Sequence, residues 1–210
     1  CTKIILGLGG SVTNDGGCGA AAALGVIFKD INGKAFIPVG KNLGDIYSID
    51  SKSFNKNYRD IEFVAMCDIN NPLSGENGAA AVFGPQKGAD AKMIAVLDKG
   101  LTNLANVIQK DIGKDISNIA GAGAAGGMGG GMVAFFNCKL QKGIKVMLET
   151  VKFEEIVQDA DYVFTGEGKI DAQSSMGKVI SGVAGITRRY NIPLVALTGN
   201  IEENLNEIYE

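Results

Sequence analysis

The stretch from Lys3 to Leu8 is a continuous apolar run, broken by Gly9-Gly10-Ser11 and followed by small helix-compatible residues at Ala20 to Leu24. This predicts a buried strand, a glycine turn and a helix. Val26-Ile27-Phe28 and Ala35-Phe36-Ile37 flank Asn32-Gly33, a strong hairpin signal, so antiparallel strands are expected there. The polar, irregular stretch from Gly40 to Arg59 predicts only a short helix around Leu43 to Ile49. Ile61 to Cys67 reads as a second buried strand, closed by the loop formers Asp68-Ile69-Asn70-Asn71-Pro72.

Beyond Asp90, an N-cap residue type, Met93, Ile94, Leu97, Leu101, Leu104, Val107 and Ile108 recur at helical spacing up to Gly113. Gly121 to Gly131 reads as a glycine loop feeding a helix at Met132 to Phe136. Ile144 to Leu148 predicts a strand, Phe153 to Val157 a short helix, Tyr162 to Phe164 a strand, Lys178 to Tyr190 a helix and Leu194 to Leu197 a strand. Strand, helix, strand at this spacing is a βαβ unit with parallel strands. Hairpin signals before it and βαβ signals within it set a boundary near residue 158. The expected fold class is α/β, with a mixed-sheet domain over 1–157 and part of a parallel-sheet, Rossmann-like domain over 158–210.

Composition narrows the chemistry more than the fold. Hydrophobic content of 46% and 20% charge suit a globular protein. A net charge of −3 gives no pull toward nucleic acid or an anionic membrane. No apolar run is long enough to span a bilayer and no basic leader opens the sequence, so a cytoplasmic protein is expected. The cysteines at 1, 18, 67 and 138 are far apart and read as reduced thiols, with no zinc spacing. Histidine is absent, which excludes Ser-His-Asp and Cys-His chemistry within these residues and leaves acid–base work to Asp, Glu, Lys, Tyr or Cys. Glycine numbers 30 of 210 and is gathered in blocks, as it would be where backbone wraps closely around a ligand.

The first block, Gly7-Leu8-Gly9-Gly10-Ser11-Val12-Thr13-Asn14-Asp15-Gly16-Gly17, offers backbone N–H groups and hydroxyls to an anion, with Asp15 to hold a cation or take a proton. The same residues would also serve as a tight turn capped by Asp15. Asp68-Ile69-Asn70-Asn71 supplies oxygen donors suited to magnesium or a polyhydroxy substrate, or simply an Asx turn. Gly84-Pro85-Gln86-Lys87-Gly88 places one cation among turn formers. Gly121, Gly123 and Gly126 satisfy GxGxxG, but no clear strand precedes them and Val146 stands where an acidic residue is required, so NAD binding is rejected. That loop suits phosphate or close packing. Thr165-Gly166-Glu167-Gly168-Lys169-Ile170-Asp171 sets two carboxylates and a lysine at an expected strand end, a pattern suited to a metal–phosphate pair or to a solvated loop. Gly177-Lys178 is not a P-loop, since Ala172 and Val179 occupy the places of its first glycine and its hydroxyl residue.

Taken together and in order, GLGGSVTNDGG, CDINNPL, FGPQKGA, GAGAAGGMGGG and TGEGKIDAQSSMGK resemble the bacterial type I glycerate kinase family over essentially the whole sequence. The resemblance implies a two-domain α/β kinase whose mixed-sheet domain is inserted into the parallel-sheet one, with ATP and Mg²⁺ as cosubstrates, D-glycerate as acceptor and 2-phosphoglycerate as product. An Asp-Ser-Phe-Lys type motif that opens the family is absent here, as are the last elements of its parallel domain. The sequence, which opens on Cys1 straight into a strand-like run, is therefore expected to be a piece of a longer protein that is inactive alone.

The expected catalytic residues are Asp15, Asp68 and Asp171. Ser11, Thr13, Asn14, Asn70, Asn71 and Lys87 are assigned to the substrate, and Gly9, Gly10, Gly166, Glu167, Gly168, Lys169 and Lys178 to the nucleotide. Asp68, Glu167 and Asp171 are the candidate metal ligands. Two other readings stay open, a kinase for another small hydroxy acid and a non-catalytic nucleotide- or small-acid-binding module. Self-association is left open.

Overall fold

A computed structural model describes residues 1–58, 60–170 and 179–201. The chain forms two compact units, Cys1–Gln141 and Lys142–Glu210, a division earlier in the sequence than the change of pattern near residue 158. Both parallel and antiparallel sheets are present, in an α/β fold.

In the first unit, β1 (Lys3–Gly7), β5 (Glu62–Met66) and β6 (Lys139–Gln141) form a parallel sheet in the order β1-β5-β6. The hairpin expected around Asn32-Gly33 is there. β2 (Ile27–Lys29) pairs antiparallel with β3 (Ala35–Phe36) and also with β4 (Ser48–Asp50), giving a second sheet in the order β3-β2-β4. The helix expected over Leu43 to Ile49 is instead a 3-10 helix over Gly40–Asp45 followed by β4. The Ile49 N–H donates to Asp111 Oδ2 at 2.7 Å, a tertiary bond that no local pattern reveals.

Helices α1 (Cys18–Ala23), α2 (Lys52–Tyr58), α3 (Ala79–Phe83), α4 (Ala91–Ile112) and α5 (Ala124–Phe136) surround these sheets. α4 follows its periodicity closely. Leu101, Leu104, Val107 and Ile108 are buried, and the helix ends at Gly113, whose N–H donates to the carbonyls of Ile108 and Gln109. At its start Asp90 Oδ1 accepts the Met93 N–H at 2.8 Å, and Met93 itself lies on the solvent side. Removing that cap in Asp90→Ala is expected to cost about 1 kcal/mol, read by urea denaturation, with no change in cooperativity. An unchanged midpoint would show that solvent satisfies the helix end equally well.

α5 joins the two sheets through its last residues. Phe135 meets Phe28 of β2 edge to face at 5.7 Å, while Phe136 meets Phe63 of β5 at 5.2 Å and Phe54 of α2 at 5.0 Å. Edge-to-face rings at this spacing add to the burial each ring already gains.

The second unit contains α6 (Gly143–Thr150), α7 (Phe153–Val157), β7 (Val163–Ile170), α8 (Val179–Thr187) and β8 (Leu194–Ile201). β7 and β8 are parallel, as the βαβ reading requires. α6 replaces the strand expected over Ile144 to Leu148. Ile144, Met147 and Leu148 stand at helical spacing as well as in an apolar run, so the short pattern was ambiguous, and packing on α8 decides it. A Cβ at Gly182 of α8 would lie 2.5 Å from Ile144 Cγ1, so the two helices touch where that side chain is missing. On the outer face of the pair of strands, Phe164, Val195 and Leu197 are exposed.

Candidate active site

β1 and β5 lie side by side and run the same way, so both release their following loops at one edge of the sheet. The Leu8 N–H donates to Met66 O at 3.1 Å, extending the pairing just past the strands. Open parallel sheets place their ligands at such an edge. Here it carries the segment 9–17 beside the segment 68–73.

A third segment, 121–127, supports both. The Gly16 N–H donates to Gly126 O at 3.1 Å and the Gly123 N–H donates to Asn71 O at 3.0 Å. The Cys67 thiol reaches Ile69 O at 3.4 Å. Of the two uses open to the glycine block, the structure shows close packing. A Cβ at Gly126 would stand 2.0 Å from Thr13 O, and one at Gly131 would stand 2.1 Å from Gly16 O. Gly126 also has φ +70°, which side chains on Cβ disfavour. The start of α5 therefore lies backbone to backbone under the 13–17 segment, buried and turned away from solvent.

Asp15 is hydrogen-bonded to the turn that opens α1. Its Oδ1 accepts the Gly17 N–H and its Oδ2 accepts the Gly19 N–H, each at 3.0 Å, at the start of α1. Burial, with the Asp15 charge added, holds the neighbouring Cys18 thiol well above its ordinary pKa. Cys18 is thus an apolar packing group and not a nucleophile.

Lys87, at the end of a 3-10 helix over Pro85–Lys87, reaches across to the first segment. Its Nζ donates to Ser11 Oγ at 3.1 Å and to Thr13 O at 2.8 Å. Partial burial lowers the pKa of this ammonium from its ordinary value. Lys87→Met is expected to release the segment, raising amide exchange over residues 9–15 roughly tenfold, the factor equivalent to about 1.4 kcal/mol. Hydrogen exchange read by mass spectrometry checks this, and unchanged rates would mean that the lysine only rests on the loop.

The remaining groups at the edge differ in exposure. Asp68 and Asn70 are exposed at the end of β5. Asn71 is engaged internally, its Nδ2 donating to Asn77 O at 2.9 Å. Gly9 and Gly10 are exposed, and a Cβ at either would meet nothing within 4 Å, so their backbone is open to a ligand. Asn14 is different again, because both polar atoms of its side chain are buried without a hydrogen-bond partner among the described residues.

In the second unit, Gly166, Glu167, Gly168 and Lys169 lie within β7 and not in a loop beyond it. Gly166 pairs with Leu197, Glu167 with Thr198 and Lys169 with Asn200 of β8. Glycine and charge concealed the strand, whose regular pairing to β8 is a tertiary effect. Asp171 and Lys178 lie outside the described residues. Among the described residues no three His, Cys, Asp or Glu side chains converge as a metal cage. None of the described helices is long and apolar enough to cross a membrane.

The chain is 43% identical over 208 residues to a glycerate kinase of Halalkalibacterium halodurans, covering 99% of this chain and 55% of that protein. It is 41% identical over 209 residues to a glycerate 2-kinase of Escherichia coli, covering all of this chain and 55% of that one. The chain thus spans about half the length of these relatives. Its fold superposes on the crystal structure of a protein named glycerate kinase 2 from Salmonella typhimurium LT2 with a TM-score of 0.86 and 40% identity, over 99% of this chain and 59% of the other. The sequence profile of the glycerate kinase family matches residues 1–210, and the chain belongs to that family.

Proposed function

We propose that this chain forms part of an ATP-dependent glycerate kinase that phosphorylates D-glycerate at its C2 hydroxyl to give 2-phosphoglycerate. One observation carries the reading. The adjacent ends of β1 and β5 bring the open backbone of Gly9 and Gly10, the Lys87-held hydroxyl of Ser11, and the exposed Asp68 and Asn70 to a single edge. The E. coli relative named glycerate 2-kinase supports the position of transfer.

Phosphoryl transfer asks for positioning and neutralisation of charge more than for covalent work by the protein. Asp68 accepts the proton of the attacking hydroxyl as its oxygen bonds to the γ-phosphorus. The bond from phosphorus to the β–γ bridging oxygen breaks and ADP leaves. Ser11, Thr13, Asn14, Asn70 and Lys87 hold the acid. Asn71 supports the loop through Asn77, and Asp15 holds the start of α1. Gly9 and Gly10 approach phosphate through their backbone, and Gly166, Glu167, Gly168, Lys169, Asp171 and Lys178 serve the nucleotide.

Magnesium fits the donor chemistry, because that ion takes one or two carboxylates and fills its octahedron with phosphate oxygens and water. Asp68 in the first unit, and Glu167 and Asp171 in the second, are the carboxylates proposed to hold it, each taken within its own unit, and no closed protein cage is required. When bound it would neutralise charge on the phosphate oxygens.

The test is a coupled ADP-release assay with D-glycerate, ATP and Mg²⁺ on the 210-residue chain and on the full-length protein, with the product identified by phosphorus NMR. Formation of 2-phosphoglycerate by the full-length protein is expected. No turnover of glycerate by that protein, correctly folded, would overturn the reading.

A further inference from the structure

We propose that Asn14 is the specificity-determining residue of this site, reading the carboxylate and the unreacting hydroxyl of the acceptor acid. This deepens the reading above and rests on transfer to the C2 hydroxyl. The starting point is that Asn14 Nδ2 and Oδ1 are both shut off from solvent with no hydrogen-bond partner among the described residues. A buried polar group left unpaired costs about 1–3 kcal/mol. Folded proteins keep few of them.

The neighbours of Asn14 are already committed. The Thr13 carbonyl accepts from Lys87 and the Asp15 carboxylate accepts from Gly17 and Gly19. The Gly16 N–H is bound to Gly126 O. With these neighbours engaged, the Asn14 side chain is left without a hydrogen-bond partner among the described residues. Close contact from beneath adds to this, since a Cβ at Gly126 would stand 2.7 Å from Asn14 Cα.

A carboxamide offers two N–H donors and one acceptor in a plane. Glycerate phosphorylated at C2 leaves a carboxylate, which only accepts, and a C3 hydroxyl, which can donate. Asn14 Nδ2 donates to the carboxylate, and Oδ1 accepts from the C3 hydroxyl. Both atoms are covered, so in this proposal the acid reaches them as the Thr13–Asn14 segment moves outward, against the Lys87 bonds to Ser11 and Thr13. Asn14 then exchanges an unpaired state for a paired one only with an acid that carries both groups. A polar site of this kind rejects an analogue lacking the hydroxyl far more strongly than an apolar pocket does.

The experiment compares D-glycerate with D-lactate, which differs only in lacking the C3 hydroxyl, in the full-length protein and its Asn14→Leu variant. The wild-type protein is expected to favour glycerate in kcat/KM by about 10³-fold or more. Asn14→Leu should bring that ratio within about tenfold, through loss of glycerate turnover at an unchanged KM for ATP. A folded Asn14→Leu that keeps the wild-type ratio would overturn the proposal. Should the leucine variant not fold, Asn14→Asp supplies the same decision. It sets a negative charge against the substrate carboxylate and should raise the KM for glycerate about tenfold, whereas an unaltered KM would overturn the proposal. A wild-type protein with no turnover of glycerate sinks the kinase reading itself, a result distinct from either of these.

Discussion

Gly126→Ala is expected to be the most destabilising single-methyl change in the first unit, lowering unfolding free energy by about 3–5 kcal/mol. Two costs add at this position. An alanine at φ +70° is strained, and its Cβ would stand 2.0 Å from the Thr13 carbonyl oxygen, a backbone atom that cannot swing aside as a flexible side chain could. The Gly16 to Gly126 bond would have to lengthen as the segments part. Gly33→Ala is the matching control. It too has positive φ, but a Cβ there meets nothing within 4 Å, so only the backbone strain of about 1–2 kcal/mol should appear. Chemical denaturation of both variants measures the difference. Equal losses would show that the α5 segment can retreat from the 13–17 segment without cost.

Those two glycines also show where the sequence was legible and where it was not. Periodicity and end signals are local, so α4 was readable from Asp90 to Gly113, and Asn32-Gly33 announced the turn between β2 and β3. The parallel pair β7 and β8 followed from strand, helix, strand spacing. β6 gave no such signal, since Lys139-Leu140-Gln141 is short and mostly polar and is a strand only because β5 offers it partners. The same limit applies to the site. Placing Ser11, Asp68 and Asn70 at strand ends needed only the strands and the turn formers. Finding that Asp15 bonds to the turn that opens α1, that Lys87 grips the Ser11–Thr13 segment, and that the glycine block is buried packing needed the tertiary contacts that make those facts true. A block of glycines looks the same in sequence whether it admits a phosphate or another backbone.

Asp68→Asn is expected to lower kcat of the full-length protein by about 10²–10⁴-fold, the range for removing a general base. The amide keeps the size and polarity of the carboxylate but cannot take the hydroxyl proton at neutral pH. KM for glycerate should move by only a few-fold, because Lys87, Ser11 and Asn14 are untouched. The melting temperature should move little, since the amide keeps the shape and hydrogen-bonding reach of the carboxylate. Asp15 gives the contrasting result. Asp15→Asn keeps one oxygen able to accept the Gly17 N–H just ahead of α1. It should lose a little stability with the second bond, the one to the Gly19 N–H, and keep turnover within about tenfold of wild type. Steady-state kinetics and thermal melts on the two variants therefore separate a carboxylate that moves a proton from one that holds a helix. A folded Asp15→Asn without activity, beside an Asp68→Asn that turns over normally, would exchange the two assignments and shift the reacting hydroxyl toward the first loop.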